Sequence, residues 1–431
     1  MQKATWITII LLLAFLLNFS CSTKQSKEVN HQTQVKKEVT AKDILGNPNY
    51  LAISYGGYRK TSRDIQPTIA DLKEDMKILS AIGIKILRTY NTKFAQAANL
   101  LKAIDQLKKE DPNFEMYVML GAWIDCKNAW TDQAPNHDKE SEEANAGEIE
   151  RAIAMANQYP DIVKIIAVGN EAMVKWAASY YVQPWVILKW VNHLQALKKA
   201  GQLPKDLWIT SSDNFASWGG GEDQYHTEDL TKLIAAVDYI SLHTYPMHDT
   251  HYNPQFWGIA ESEENLSKLE KINAAMKRAR DYAKSQYRST AAYIKSLGLS
   301  KPIHIGETGW ATASNNFYGP EGSKATDEYK SALYYQLMRD WTKEEKIACF
   351  YFEAFNEPWK DAPNPGGSEN HFGLFDVNGK AKYVLWDLVD QNIFKGLSRG
   401  GNSISKTFNG SKEQLLNEVF LPSSKNELQA K

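Results

Sequence analysis

The chain is predicted to fold as an α/β protein, a single-domain (β/α)8 barrel of the TIM type. Eight short apolar runs lie between residues 50 and 353, and seven of them lead into a segment of helical character. Strands that alternate with helices, without a strand-only block, pair in parallel. Two of the runs each deliver a glutamate: Ile165-Ile166-Ala167-Val168 continues into Gly169-Asn170-Glu171, and Ile303-His304-Ile305 into Gly306-Glu307. A carboxylate at the exit of a strand sits where such a barrel keeps its chemistry. An open doubly wound sheet is the structural alternative. The turn after the first run speaks against it, because Gly56-Gly57-Tyr58-Arg59 lacks the glycine spacing of a phosphate-binding loop. On length alone, 431 residues would allow two or three domains, but barrels of this kind often exceed roughly 250 residues as one unit.

The first strand is expected at 50–55, ended by Gly56-Gly57. Ile69, Leu72, Met76, Leu79 and Ile82 then recur at helical spacing, with Gly83 where a C-terminal cap belongs. The second strand is 84–90, and its helix is 94–108, with Ala98, Leu101 and Leu107 on the apolar side. The third strand, 116–120, leads into a polar loop over 127–144 and a helix over 147–158. The fourth, 163–168, is followed by a helix over 182–200 that carries Trp185 and Trp190. The fifth, 207–210, ends at Ser211-Ser212-Asp213-Asn214, and the sixth, 237–242, runs into His243-Thr244-Tyr245-Pro246. A long insert follows, whose charged part, 261–297, reads as one or two exposed helices. Strand seven at 303–305, a helix over 327–343, strand eight at 348–353 and a last helix over 381–390 complete the barrel.

Residues 1–21 read as a lipoprotein signal: Lys3 supplies the positive charge, and the apolar stretch 7–17 is too short to span a bilayer comfortably. Ser20-Cys21 resembles a bacterial lipoprotein cleavage site, with Cys21 as the lipidated first residue. The expected location is therefore the cell envelope, anchored to a membrane through that lipid, with plain secretion as the alternative. Residues 22–44 are polar and aperiodic, as a flexible tether would be; 45–396 form the folded domain, and 397–431 a tail that is surface-packed or loose. Cys126 and Cys349, well separated, are expected to be free and buried rather than paired. With 50 basic and 51 acidic side chains the net charge is −1, which gives no support to nucleic-acid or polyanion binding.

In such a barrel the C-terminal ends of all strands open onto one face. The residues expected there are Tyr55; Arg88, Tyr90 and Asn91; Trp123 and Asp125; Asn170 and Glu171; Asp213 and Asn214; His243 and Tyr245; Glu307 and Trp310; and Glu353, Asn356, Glu357 and Lys360. This rim is rich in carboxylates and aromatics and holds no cysteine or histidine cluster, so it implies neither a metal, a thiol nor a cofactor. It suits cleavage of a glycosidic bond by two carboxyl groups. A sugar alkoxide is a poor leaving group and must be protonated as its bond breaks, so one glutamate has to stay protonated. The other must be ionised to attack the anomeric carbon. Strands four and seven lie across an eight-strand ring, so Glu171 and Glu307 can face each other over a sugar. A gap of about 5–5.5 Å gives retention through a covalent intermediate. Asn170 is placed to bond the sugar 2-hydroxyl, and Tyr245 to keep Glu307 ionised. Trp123, Trp218, Trp257, Trp310 and Trp359 are candidate stacking platforms for sugar rings, the alternative for each being burial.

Over about residues 50–394 the chain resembles glycoside hydrolase family 17, the β-1,3-glucanase and lichenase family. The resemblance is carried by Val168-Gly169-Asn170-Glu171, by Gly306-Glu307-Thr308-Gly309-Trp310, and by Phe355-Asn356-Glu357 with Lys360, Glu369 and Phe372-Gly373-Leu374-Phe375. Arg88-Thr89-Tyr90-Asn91 stands where the family has its Arg-x-Tyr strand. The resemblance implies that Glu171 is the acid/base and Glu307 the nucleophile, with Glu357, Lys360 and Glu369 as supporting polar residues. The chain departs from the family in the long insert between strands six and seven, in Trp359, and in His243 before Tyr245.

The leading expectation is an endo-acting, retaining β-1,3-glucan hydrolase for laminarin-type chains. The expected partners are a neutral β-glucan and the membrane, with no nucleic acid and no second subunit. A β-1,3-glucanosyltransferase is the alternative within the same chemistry, and a non-catalytic surface glycan-binding lipoprotein the alternative outside it.

Overall fold

Eight short parallel strands form a sheet that closes on itself, the last pairing with the first. The computed structural model describes residues 39–423. The barrel strands are β1 (Leu51–Ser54), β2 (Ile84–Arg88), β3 (Tyr117–Ala122), β4 (Val163–Asn170), β5 (Trp208–Asn214), β6 (Ile240–His243), β7 (Ile303–Gly309) and β8 (Cys349–Phe352). Every neighbouring pair is parallel, and β8 closes on β1 with Tyr351 opposite Ile53. All eight expected strands are present. Five run further than expected, β3 to Ala122, β4 to Asn170, β5 to Asn214, β6 to His243 and β7 to Gly309, each at the end where the candidate chemistry lies.

One set of side chains, including Ala52, Ile86, Met119, Ile165, Ala167, Tyr239 and Phe350, packs as an interior cluster. The alternate set, including Ile53, Leu87, Val118, Ile166, Ile209, Ile240 and Ile305, faces the surrounding helices. This is the period-two pattern of a barrel strand buried on both faces.

The interior cluster is closed at the N-terminal end by a short helix, α1 (Ala41–Ile44), whose Ala41 and Ile44 are fully buried. Thr40 and Asp43 form a capping box that starts it, with Thr40 Oγ1 donating to Asp43 Oδ2 at 2.8 Å. The expected tether over 22–44 therefore stops short of α1: a four-residue helix has no detectable period, but its two apolar side chains plug the barrel floor. The export signal, Cys21 and the remainder of that tether lie outside the described residues.

The helices between strands are α2 (Ile69–Ala81), α3 (Ala95–Glu110), α4 (Glu142–Gln158), α5 (Pro184–Lys199), α6 (Glu228–Ala236), α7 (Pro246–Tyr252), α8 (Lys268–Ser296) and α9 (Glu328–Glu344). Three of these correct the sequence reading; one is α7, which forms at the start of the long insert where no helix is expected. The polar segment 228–236 forms α6, which the sequence reading leaves out; Thr227 caps it, and Leu230, Leu233 and Ile234 are buried. The charged insert is one 29-residue helix, not an exposed appendage. Ile272, Met276, Ala279, Ala283, Gln286, Thr290 and Ile294 form a buried stripe along α8, at the three- and four-residue spacing of one helix face. The expected last helix shrinks to α10 (Trp386–Asp390).

Residues 397–423 of the expected tail are packed rather than loose. A hairpin over residues 398–403 inserts Arg399, fully buried, against Asp75 of α2 at 2.9 and 3.2 Å. Asp75 also accepts from Arg59 at 2.9 Å and from the Tyr55 hydroxyl at 3.0 Å. A buried charge is tolerated when it is paired and its lone pairs are filled, as they are here. Cys126 and Cys349 are both free and buried.

Candidate active site

Side-chain parity decides which rim residues meet. On β2 the interior-facing set, Ile86 and then Arg88, continues into Tyr90; on β6 it is Tyr239, Ser241, His243 and then Tyr245. On β7 the pairing register slips beside Glu307 against both neighbours. Gly306, whose missing Cβ leaves room for the Ser212 and Ser241 hydroxyls, is inward, and the slip turns Glu307 inward as well. On β4, Gly169 and Glu171 both have positive φ, +82° and +47°. For a glutamate that conformation is strained, and it is held by the Glu171 amide donating to Ser212 O at 2.9 Å.

Glu307 sits at the centre of a donor cluster. Its Oε1 accepts from Tyr245 Oη at 2.6 Å, and its Oε2 from Tyr90 Oη at 2.8 Å and from the Arg88 guanidinium. Arg88 is fully buried, lies over the Tyr90 ring, and also donates to Asn170 Oδ1. Burial by itself pushes the Glu307 carboxyl up, but the Arg88 charge and the two phenolic hydroxyls outweigh it and hold the group well below the ordinary carboxylate range. These contacts favour the ionised form of Glu307.

Glu171 is held in the opposite state. Its Oε1 lies 3.0 Å from His243 Nδ1, and His243 Nε2 lies 2.7 Å from Ser212 Oγ. Burial pushes His243 down to about 4, so it is neutral near pH 7 and offers Glu171 no positive charge. Burial, and next the negative charge of Glu307, pushes the Glu171 carboxyl well above its usual range. Two carboxyls with opposed protonation tendencies share one site, the arrangement that separates an acid from a nucleophile. The sequence places His243 on the rim beside Tyr245, as a departure from the family; its contact with Glu171 comes from the fold.

Several expected rim residues are elsewhere. Tyr55 follows outward-facing Ile53 by two, so it points into the β1–α2 layer and bonds Asp75. Trp310, Trp218 and Trp257 are fully buried: their indole N–H groups donate to Ala325 O, Ser241 O and Ser323 O, and none offers a face to a sugar. Asp213 is buried as well, and its carboxylate accepts from the Met173 and Asn214 amides and the Ser217 hydroxyl, fixing the loops beside the site. Asn214 and Asn91 hold local turns through Ala216 N and Phe94 N. Glu357 is a buried latch, accepting from Tyr58 N and from Trp359 Nε1 at 3.0 Å each. Lys360 pairs with Glu353 at 2.8 Å and lies over the Phe352 ring, and Glu369 keeps about half its side chain exposed near His248. Trp123 remains half-buried beside Tyr180, and Trp359 packs on Tyr58 under the Arg63 guanidinium. Among the described residues no group of three or more His, Cys, Asp or Glu side chains could hold a metal ion.

A closed parallel barrel with such a carboxyl pair at its C-terminal face defines a glycoside hydrolase domain. The family model of the BtgE/BtgC glycoside hydrolase domain matches residues 52–373, and the chain belongs to that family. Among its relatives is a probable glucan endo-1,3-beta-glucosidase btgC of Aspergillus flavus, 24% identical over 383 residues, covering 84% of this chain and 47% of that protein. The chain thus spans less than half the length of that relative. A glucan 1,3-beta-glucosidase of Arthroderma benhamiae is 26% identical over 323 residues, covering 73% of this chain and 83% of the relative. The crystal structure of an endo-laminarinase from Formosa Hel1_33_131 is 72% identical, superposes with a TM-score of 0.89, and covers 90% of this chain and 98% of its own. An active-site mutant of Rhizomucor miehei beta-1,3-glucanosyltransferase, in complex with laminaritriose, shares the fold at 20% identity and a TM-score of 0.52, over 76% of this chain and 93% of its own.

Proposed function

We propose that the protein is an endo-acting, retaining β-1,3-glucan hydrolase of glycoside hydrolase family 17, with Glu171 as proton donor and Glu307 as nucleophile. One observation carries the reading: the buried Glu307 carboxyl accepts from Arg88, Tyr90 and Tyr245, which favour its ionised form, while burial and the Glu307 charge push the neighbouring Glu171 carboxyl up. The 72% identity to an endo-laminarinase supports a laminarin-type, neutral substrate.

In the first step Glu307 attacks the anomeric carbon, the bond to the leaving oxygen breaks, and that oxygen takes the Glu171 proton. In the second, a water oxygen attacks the same carbon, its proton passes to Glu171, and the ester bond to Glu307 breaks to restore the carboxylate. A sugar hydroxyl in place of that water makes the same site a glucanosyltransferase. Asn170, oriented by Arg88, is placed for the 2-hydroxyl of the attacked sugar. A purely glycan-binding protein has no use for this opposition of two carboxyls. We also propose that Cys21 carries a lipid that anchors the protein to the cell envelope; loss of membrane association and of lipid labelling in Cys21→Ala tests it.

The test of function is reducing-sugar release from linear β-1,3-glucan, mixed-linkage β-glucan and cellulose, for the wild type, Glu171→Gln and Glu307→Gln. The expected result is activity on the first substrate, lost in both variants. Undiminished turnover in Glu307→Gln would overturn the mechanism. Products longer than the substrate at high oligosaccharide concentration would favour the transferase.

A further inference from the structure

The loop after β3 is a small antiparallel hairpin, Cys126–Lys127 with Asn136–Glu140. It is fastened to the loop that follows Glu171. Cys126 N donates to Tyr180 O at 3.0 Å, the His137 ring stacks on the Tyr181 ring at 3.6 Å, and His137 Nδ1 lies 2.8 Å from Tyr181 O. That second loop is itself closed by Val182 N donating to Ala172 O at 2.7 Å.

Trp130 stands at the hairpin tip. Its ring stacks on Tyr180, centroids 5.1 Å apart and planes 23° from parallel, and Trp123 packs on the same tyrosine at 5.1 Å. The indole N–H groups of Trp123 and Trp130 converge on one oxygen, Asp125 Oδ1, at 2.6 and 3.2 Å. Trp130 nevertheless leaves 63% of its surface in solvent and holds φ at +61°, a costly backbone conformation for a bulky side chain. A tryptophan pinned by a ring, a carboxylate and a strained backbone, yet left open, is not there to fill a core. A flat, rigid indole matches the apolar C–H face of a glucose ring.

The position of the platform follows from the direction of the reaction. The group that protonates the leaving oxygen borders the departing part of the chain, and Glu171, next after β4, leads directly into the loop bearing Tyr180. Ala172, next after Glu171, accepts from Val182 N at 2.7 Å, which folds the loop bearing Tyr180 back beside the proton donor.

We propose that Trp130, backed by Tyr180 and Trp123, is a stacking platform for the glucosyl units on the leaving-group side of the scissile bond. It rests on Glu171 being the proton donor. The same platform holds an incoming β-1,3-glucan acceptor when a sugar hydroxyl replaces water, so it sets the balance between hydrolysis and transfer.

The test uses the full chain with Trp130→Ala and Trp130→Phe, folding being checked by circular dichroism. Two readouts are taken: binding of laminarihexaose to each variant in the Glu307→Gln background by calorimetry, and, in the active chain, the ratio of transfer to hydrolysis with laminaribiose as acceptor. Trp130→Ala is expected to weaken hexaose binding and to lower the transfer ratio by about fivefold each, with Trp130→Phe recovering most of both. Unchanged binding and ratio, or no hexaose binding by Glu307→Gln at all, overturn the platform. Weakened binding with an unchanged transfer ratio overturns its place on the leaving side. A wild type that cleaves no β-1,3-glucan, but whose Glu307→Gln form binds hexaose in a Trp130-dependent way, overturns the proposed function and leaves the binding platform standing.

Discussion

His243 Nδ1 stands 3.0 Å from Glu171 Oε1, and the other ring nitrogen is occupied by the Ser212 hydroxyl at 2.7 Å. The imidazole is therefore a neutral, fully buried wall against the carboxyl that has to stay protonated. Burial is the main cause of the raised Glu171 pKa. Replacing His243 by Ala lets water reach that carboxyl, so its pKa falls. The alkaline limb of the pH–rate profile should move to lower pH, and kcat/KM at neutral pH should fall by about tenfold or more. An alkaline limb that stays in place in His243→Ala would show that the imidazole does not act through Glu171.

The wild-type profile follows from the two carboxyls. On the proposed mechanism activity needs Glu307 ionised, and its pKa is held down, so the acid limb should lie below an ordinary glutamate at about 4.3. The same mechanism needs Glu171 protonated, and its pKa is raised, so activity should persist well above neutrality and fall as pH passes through that raised value. Initial rates on laminarin across the pH range check both limbs.

Arg88 is the first of the groups that lower the Glu307 pKa. In Arg88→Met the burial that pushes the carboxyl up goes unopposed by that charge. The acid limb should rise above the wild-type position, and kcat/KM should drop by roughly a hundredfold as the nucleophile is partly protonated and Asn170 loses its donor. A profile that matches the wild type in shape would contradict the ion-pair account.

Tyr55 and Trp310 separate packing from substrate contact. Tyr55→Phe removes one hydroxyl from Asp75 and should cost about 1 kcal/mol of stability. Trp310→Ala empties a site packed by Trp257 and Tyr334 and should cost about 3–5 kcal/mol. Urea unfolding measures both losses, and KM for laminarin should stay within about twofold in Tyr55→Phe.

Arg399 and Asp75 are both fully buried, and they tie the C-terminal hairpin to α2. Arg399→Met leaves Asp75 with Arg59 and Tyr55 only. A loss of about 3 kcal/mol is expected, at the lower end for a broken buried pair because those two partners remain. Thermal and urea denaturation of this variant beside the wild type measure it.

The amino-acid pattern alone determined the barrel. Eight apolar runs, helical spacing between most of them and two Gly-led glutamates are local features, and each is readable because a strand or a helix imposes its own period. The pairing of Glu171 with Glu307 was legible for the same reason, since both follow strand ends that a closed barrel must bring to one face. What the tertiary structure decided is what each of the other rim residues touches. Parity turned Tyr55, Asp213 and Trp310 away from the site, a register slip on β7 turned Glu307 toward it, and contacts between residues far apart in sequence favour opposite protonation of the carboxyls: Arg88 lowers Glu307, while burial and the Glu307 charge raise Glu171. Helix α1 and the Arg399 hairpin were likewise invisible locally, being too short to show a period; they are stabilised only by the surfaces they cover. Secondary structure follows from near neighbours in the chain, whereas burial and charge pairing depend on groups that meet only once the barrel has closed.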